Sequence, residues 1–473
     1  MNQQPVIDVF RTRYDRDACK TGIVHLGLGA FHRAHQAVFI DDYMEKTGDL
    51  NWGIAAINLR PEEAATFQNH LDADDGYLLK TTNPDGVGNL REIRSHVEFK
   101  DWSRNATEAE ALAALSSVKV ISMTVTESGY YLTEDWTLDE RHPLIAAEIE
   151  GSRGRSIYAY LAKALEARIL AHGEPVTIVC CDNIRSNGDV LAQNFRRYLD
   201  LTGKDEIIDW LDGNATFPNS MVDRITPRST MALREEVSRI SPGSEVTAVH
   251  SESYIQWVIE DRFASDFPAL ASVGVELVRD VTPFEEAKIR ILNGGHSALC
   301  YLGALAGHAT FDQAMADENL RPHFDGYQHE NVLPAITVSL PFDKLEYSNV
   351  IAERLSNGAI ADELGRICMD GWSKFPIFVR PTLEDCLKQG INPEFGYDSV
   401  ASWYVFARRH LLGLATIPYV DTYWETLKPL LANGQEGRFA ELEALWADLP
   451  QKYNEFVPGI VSAIIRMEEK WPV

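Results

Sequence analysis

Short apolar runs separated by stretches of helical periodicity fill the first two-thirds of the chain. Gly22–Leu28, Trp52–Asn58, Val118–Thr126 and Pro175–Cys181 are of strand length, mostly rich in Val and Ile, and each leads into a loop or a helical pattern. Strands alternating with helices predict βαβ units and a parallel, helix-covered sheet. From about Thr282 the pattern turns to long helical segments, predicted at Phe284–Ala306, Val350–Met369, Ser399–Leu412, Gly437–Ala447 and Pro458–Lys470. The expectation is an α/β domain over 1–280 and a mostly α-helical domain over 281–473.

Composition narrows the function classes. A net charge of −26 repels phosphate backbones and anionic lipid, and no basic patch offsets it, so neither nucleic acid nor a membrane surface is an expected partner. Six cysteines without a C-x-x-C pair read as reduced thiols of a cytoplasmic protein. Met1–Asp15 has no apolar core and no segment approaches 18 uncharged apolar residues, so neither a secretory signal nor a transmembrane helix is expected.

The first strand runs through Ile23-Val24-His25-Leu26-Gly27-Leu28-Gly29-Ala30-Phe31-His32-Arg33-Ala34-His35. In such a strand–turn–helix the first glycine permits the tight turn, the second lets backbone amides approach a pyrophosphate, and the helix start adds positive dipole. Gly27, Leu28, Gly29, Ala30 and Phe31 are therefore candidate cofactor-binding residues. His32 stands where a third glycine would complete G-x-G-x-x-G, and a plain strand–helix turn is the competing reading. His32-x-x-His35 lacks Cys or acidic partners and reads as polar residues on a first helical turn. After the second strand, Glu62 and Glu63 are placed to accept hydrogen bonds from adenosine ribose hydroxyls and to repel a 2′-phosphate, which favours NAD. Arg60 argues the other way, and Pro61-Glu62-Glu63 is equally a helix start.

The densest constellation lies in Thr282–Ser297. Thr282, Pro283 and Glu285 have the spacing of a capped helix start. At ~100° per residue, Glu285, His296 and Asn293 fall about 60°, 80° and 140° round from Lys288. This polar quartet shares a sector with Leu292, Ile289 and Leu299, which a solvated face does not explain. Two bland readings stay open: Glu285 as cap alone, and Gly294-Gly295 breaking the helix and the phase of His296. Oxidising a secondary alcohol needs a base, a hydride acceptor and donors for the developing alkoxide. A lysine serves as base when burial lowers its pKa. Asn183, at the end of its strand, lies on the carboxyl edge where such sheets bind ligands. No Tyr-x-x-x-Lys pair and no Cys/His/acid zinc set occurs, which leaves a metal-free lysine mechanism.

These residues resemble the polyol-specific long-chain dehydrogenases and reductases, a family that includes mannitol 2-dehydrogenase, arabinitol dehydrogenase and the fructuronate and tagaturonate reductases. The likeness rests on the His25–His35 loop, Thr126-Glu127-Ser128-Gly129-Tyr130, Cys181-Asp182-Asn183-Ile184, Phe217–Pro227 with its Met-Val-Asp-Arg-Ile, Gln256–Asp261, Lys288–His296 and Asp370–Pro376. It implies a Rossmann-type doubly wound sheet domain followed by the helical domain. It further implies Lys288 as general acid/base, Asn183 and Asn293 as an oxyanion hole, His296 orienting substrate, and Glu285 passing the proton to solvent. Asp223, Arg366 and Lys374 are similar to positions that bind substrate hydroxyls, and Glu127 joins the cofactor-binding residues. Ser251-Glu252-Ser253-Tyr254 departs from the more usual Cys-Glu-Pro-Phe, and Gly295 from a frequent Ser.

The expected activity is NAD-dependent hydride transfer between a polyol and its 2-ketose, without a metal, in a monomer or weak homodimer. Trp372-Ser373-Lys374-Phe375-Pro376 looks like the mannitol enzyme and tilts the substrate to a polyol over a sugar acid such as D-mannonate or D-altronate. A non-catalytic NAD-binding sensor is the rival from another class, and the intact Lys288, Asn293 and His296 argue against it.

Overall fold

The computed structural model describes residues 9–73, 76–133 and 135–473; residues 1–8, part of the Met1–Asp15 stretch, lie outside it. The chain forms two compact units, one of Met1–Asn83 with Val87–Thr282 and one of Pro84–Gly86 with Pro283–Val473. In the first, six strands, β1 (Thr21–Leu26), β2 (Gly53–Asn58), β3 (His96–Asp101), β4 (Val120–Met123), β5 (Val176–Cys180) and β6 (Ala215–Thr216), lie parallel in the order β3-β2-β1-β4-β5-β6. That is the doubly wound Rossmann order. Leu26 pairs with both Ile57 and Met123, which brings the carboxyl ends of the three central strands level.

Successive side chains of a strand point to opposite faces, and both faces here are covered. Val24, Leu26, Ala55, Ile57, Ile121 and Ile178 join one core with the helices Ala106–Ala113 and Ile157–Ala171. Ile23, Ile54, Val120 and Val179 join another, closed by helix Gln36–Thr47. Double-sided burial explains the unbroken apolar runs.

The second unit is helical. Its longest helix, Glu394–Leu411, is buried along most of its length and packs on Gly294–Leu305 and Phe456–Lys470. The helix predicted over Val350–Met369 is instead two, Lys344–Leu355 and Leu364–Ile367, parted at Asn357-Gly358. The helix predicted over Gly437–Ala447 is likewise split, into Glu436–Ala440 and Glu443–Trp446. All six cysteines are free, and no helix among the described residues is long and apolar enough to cross a membrane.

His32 lies in the first turn of the helix Ala30–Ala34, as expected, and His35 caps its end. Both are buried. His35 Nε2 donates to the Gln256 carbonyl at 2.8 Å, while the His32 ring stacks on His25 at 3.4 Å and its Nε2 meets His96 Nε2 at 3.0 Å. Burial pushes His32 and His70 down to about 3, and His25 and His96 well below their ordinary value. The unfolded chain, with histidines near ~6.5, therefore binds protons that the folded unit does not. Stability from these rings is complete above about pH 6.5, and each removes about 1.4 kcal/mol per pH unit below it until its folded value is reached. Near-ultraviolet circular dichroism should show tertiary structure failing between roughly pH 6 and pH 4; a spectrum unchanged over that interval would refute the neutral array.

Candidate active site

The candidate site residues fall into two groups of side chains, one in each unit. The first lines the carboxyl edge of the sheet. Gly27 has φ +96°, and a Cβ there would meet the Thr124 carbonyl oxygen at 2.6 Å, so the turn after β1 requires glycine. Gly29, exposed at the start of helix α1 (Ala30–Ala34), is different: a Cβ on it meets nothing within 4 Å. Leu28, Ala30 and Phe31 around it are half-buried. A third glycine would let strand and helix pack closely. His32 fills that space instead, stacked on His25, whose Nδ1 and Nε2 lie 2.7 and 3.0 Å from the Ser122 and Thr124 hydroxyls.

After β2, Asn58 folds the loop by accepting the Arg60 amide at 3.2 Å and donating to the Arg60 carbonyl at 2.9 Å. Glu62 and Glu63 follow, exposed in the short turn Pro61–Glu63. Arg60 Nη2 reaches within 3.7 Å of where a Gly129 Cβ would lie, beside the turn Glu127–Tyr130 that begins with exposed Glu127. Asp182, not singled out by sequence reasoning although its motif was, ties these loops together. Its carboxylate accepts the Val125 amide at 3.0 Å, the Thr126 amide at 2.9 Å and the Tyr130 hydroxyl at 2.6 Å. Burial outweighs those bonds and raises its pKa to about 6. Asn183, the next residue, is exposed on the same edge. Asp223 ends the strand Ser220–Asp223, buried opposite Gln256. A glycine turn open on its outer side, next to acids after β2 and at the point where strand order reverses, fits an adenine dinucleotide.

The second group centres on Lys288. Lys288–Asn293 is not α-helical but a π turn, set between helix α2 (Thr282–Ala287) and helix α3 (Gly294–Leu305), with the Gly294 amide bonded back to the Ile289 carbonyl. The phase of about 140° expected between Lys288 and Asn293 is therefore wrong, because i→i+5 bonding widens the turn and carries Asn293 toward the azimuth of Lys288. Gly294-Gly295 do not break the helix; they begin α3. Lys288 and Glu285 are buried, and Asn293 and His296 are half-buried. Asp280 Oδ1 holds the Thr282 amide at 2.9 Å.

His296 packs edge-on to Phe311, and burial pushes its pKa down to about 4, with Asp362 opposing and the cations Arg366, Lys374 and Arg354 assisting. These four charged groups thus share its neighbourhood. Its Nε2 is buried without a hydrogen-bond partner. Arg366 grips Asp362 through two bonds, Nε to Oδ1 at 2.9 Å and Nη2 to Oδ2. Lys374 Nζ donates to the Ile367 carbonyl at 2.8 Å, and burial lowers its pKa. Among the described residues no three His, Cys, Asp or Glu side chains converge as a metal site.

Known proteins match both units. The model of the mannitol dehydrogenase Rossmann domain covers residues 21–272, and that of the mannitol dehydrogenase C-terminal domain covers 280–467. D-arabinitol 4-dehydrogenase of Klebsiella pneumoniae is 36% identical over 399 residues, 84% of this chain and 86% of that one. Polyol:NADP oxidoreductase of Gluconobacter oxydans is 33% identical over 449 residues, 92% of this chain and 91% of that one. The structure of Pseudomonas fluorescens mannitol 2-dehydrogenase in ternary complex with NAD and D-mannitol superposes with TM-score 0.87 at 30% identity, covering 98% of this chain and 94% of that one.

Proposed function

The chain belongs to the mannitol dehydrogenase family, and on that premise we propose that this polyol dehydrogenase interconverts a polyol and its 2-ketose with NAD. Bound NAD supplies the ring carbon that accepts the hydride. Lys288, buried in its segment, takes the hydroxyl proton as general base. The Asn293 and Asn183 amides donate to the oxygen as it becomes an alkoxide. His296, neutral at working pH, orients a substrate hydroxyl, and Glu285 carries the proton onward from Lys288. Asp223, Arg366 and Lys374 bind the remaining hydroxyls. Gly27, Leu28, Gly29, Ala30 and Phe31 hold the pyrophosphate, and Glu62 and Glu127 hold the adenosine side.

The observation that carries the substrate class is the engagement of Arg366. A carboxylate ligand gains most from a guanidinium with both prongs available, and those of Arg366 are on Asp362. With Lys374 on a backbone carbonyl, these two cations suit an uncharged, hydroxyl-rich substrate. Initial rates on D-mannitol, D-arabinitol, D-sorbitol, D-mannonate and D-altronate test this: a polyol should give the highest kcat/KM. Much higher efficiency with D-mannonate replaces the reading with that of a sugar-acid reductase. Run in parallel with NAD and NADP, the same assay should favour NAD, because Glu62 and Glu63 oppose a 2′-phosphate. Equal efficiency with NADP would mean that Arg60 decides.

A further inference from the structure

We propose that Gln328 is a positioning residue for Lys288, keeping the lysine's segment in its π form. The inference rests on the reading of Lys288 as the proton-transfer group. A π turn is rare and less favourable than the α-helix on either side of it, so its surroundings have to hold it. Gln328 Nε2 donates to the Ile291 carbonyl, in the middle of the turn, at 2.7 Å, with both residues buried. The bond joins segments 37 residues apart.

Four further observations point the same way. Gln328 sits in a π turn of its own, Tyr327–Val332, packed against the first. That second turn is anchored by Asn331, whose Oδ1 accepts the Gly396 amide at 2.9 Å. At Gly295, a Cβ would lie 2.6 Å from Gln328 Nε2, so glycine is what admits the amide to the helix backbone. Finally, Gln328 Oε1 is buried without a partner. An orphaned acceptor is a cost that an apolar side chain of the same shape avoids, so what the glutamine contributes here is its donor. Without that donor the segment relaxes toward α-helical register, Asn293 swings away from Lys288, and the lysine is released toward water.

Two variants approach the bond from opposite sides. Gln328→Met keeps the volume and removes the donor, while Gly295→Ala keeps the glutamine and displaces its amide. Both should lower kcat for polyol oxidation by about 10–100-fold, the scale of a small misplacement of a catalytic group, with the polyol KM changed less than about twofold. In both, the acid limb of the kcat/KM–pH profile should move to higher pH, because a better-hydrated lysine is a stronger base. Wild-type kcat with an unshifted limb, or a fall in melting temperature alone, overturns the proposal. So does a Gln328→Met chain that cannot fold, since the side chain would then serve the unit and not the lysine. Lys288→Ala separates the two levels: if it stays active the reading of the lysine fails, and if it is dead while Gln328→Met is normal, only this inference fails.

Discussion

Lys288→Ala is expected to lower kcat/KM for polyol oxidation by ~10²–10⁴-fold, the range of general acid–base catalysis, while NADH binding by fluorescence titration stays within about twofold. The amide donors on Asn183 and Asn293 survive the substitution, so residual activity should be measurable. Lys288→Arg sharpens the test. It puts a cation at the buried site, one that holds its proton at any working pH, with a pKa above ~12. If charge alone mattered, the arginine variant would recover; if a proton must be taken up, it stays as inactive as alanine. Near-wild-type turnover in Lys288→Ala would remove the mechanism.

Gly27→Val should cost both stability and cofactor affinity. The residue has φ +96°, and its Cβ would overlap the Thr124 carbonyl oxygen, which belongs to backbone at the end of β4 and cannot step aside cheaply. Backbone strain of this kind costs ~1–3 kcal/mol, and each ~1.4 kcal/mol expressed in binding is tenfold in Kd. The expected result is a melting temperature lowered by several degrees and NADH bound at least ~10-fold more weakly. Gly29→Ala is the control. Nothing lies within 4 Å of its Cβ, so its melting temperature should match the wild type, and any loss of NADH affinity then reports a ligand lying against that face. Gly27→Val with unchanged melting temperature and Kd would mean that the turn tolerates a side chain.

The strands β1, β2, β4 and β5 are legible because a strand buried on both faces is apolar throughout. β3, His-Val-Glu-Phe-Lys-Asp at the sheet edge, carries charges on half-buried positions, and β6 is two residues long; neither leaves an apolar run. The split of Val350–Met369 was written in Asn357-Gly358, a turn signal outweighed by the helical periodicity on either side. At the candidate site, residue types pointed to Lys288, Asn293 and His296, but their spacing was read on a continuous α-helix that the chain does not form there. A π turn is sustained by contacts such as that of Gln328, which no local pattern contains. The pairing of Arg366 with Asp362 four residues earlier was within reach, since an acid and a base at that spacing face one another on a helical turn.

The order in which strands enter the sheet also bears on how the protein is made. Every strand of the six-stranded sheet is supplied by Thr216, whereas the helical body of the second unit begins only at Pro283. Parallel strands joined by long crossovers are slow to find one another. A ribosome adding ~5–20 residues per second needs about 3–13 seconds to travel between those two positions. The sheet is thus granted an interval in which to close on itself before any competing apolar helix of the second unit leaves the ribosome, and synonymous codons that shorten that interval are expected to lower the yield of native chains.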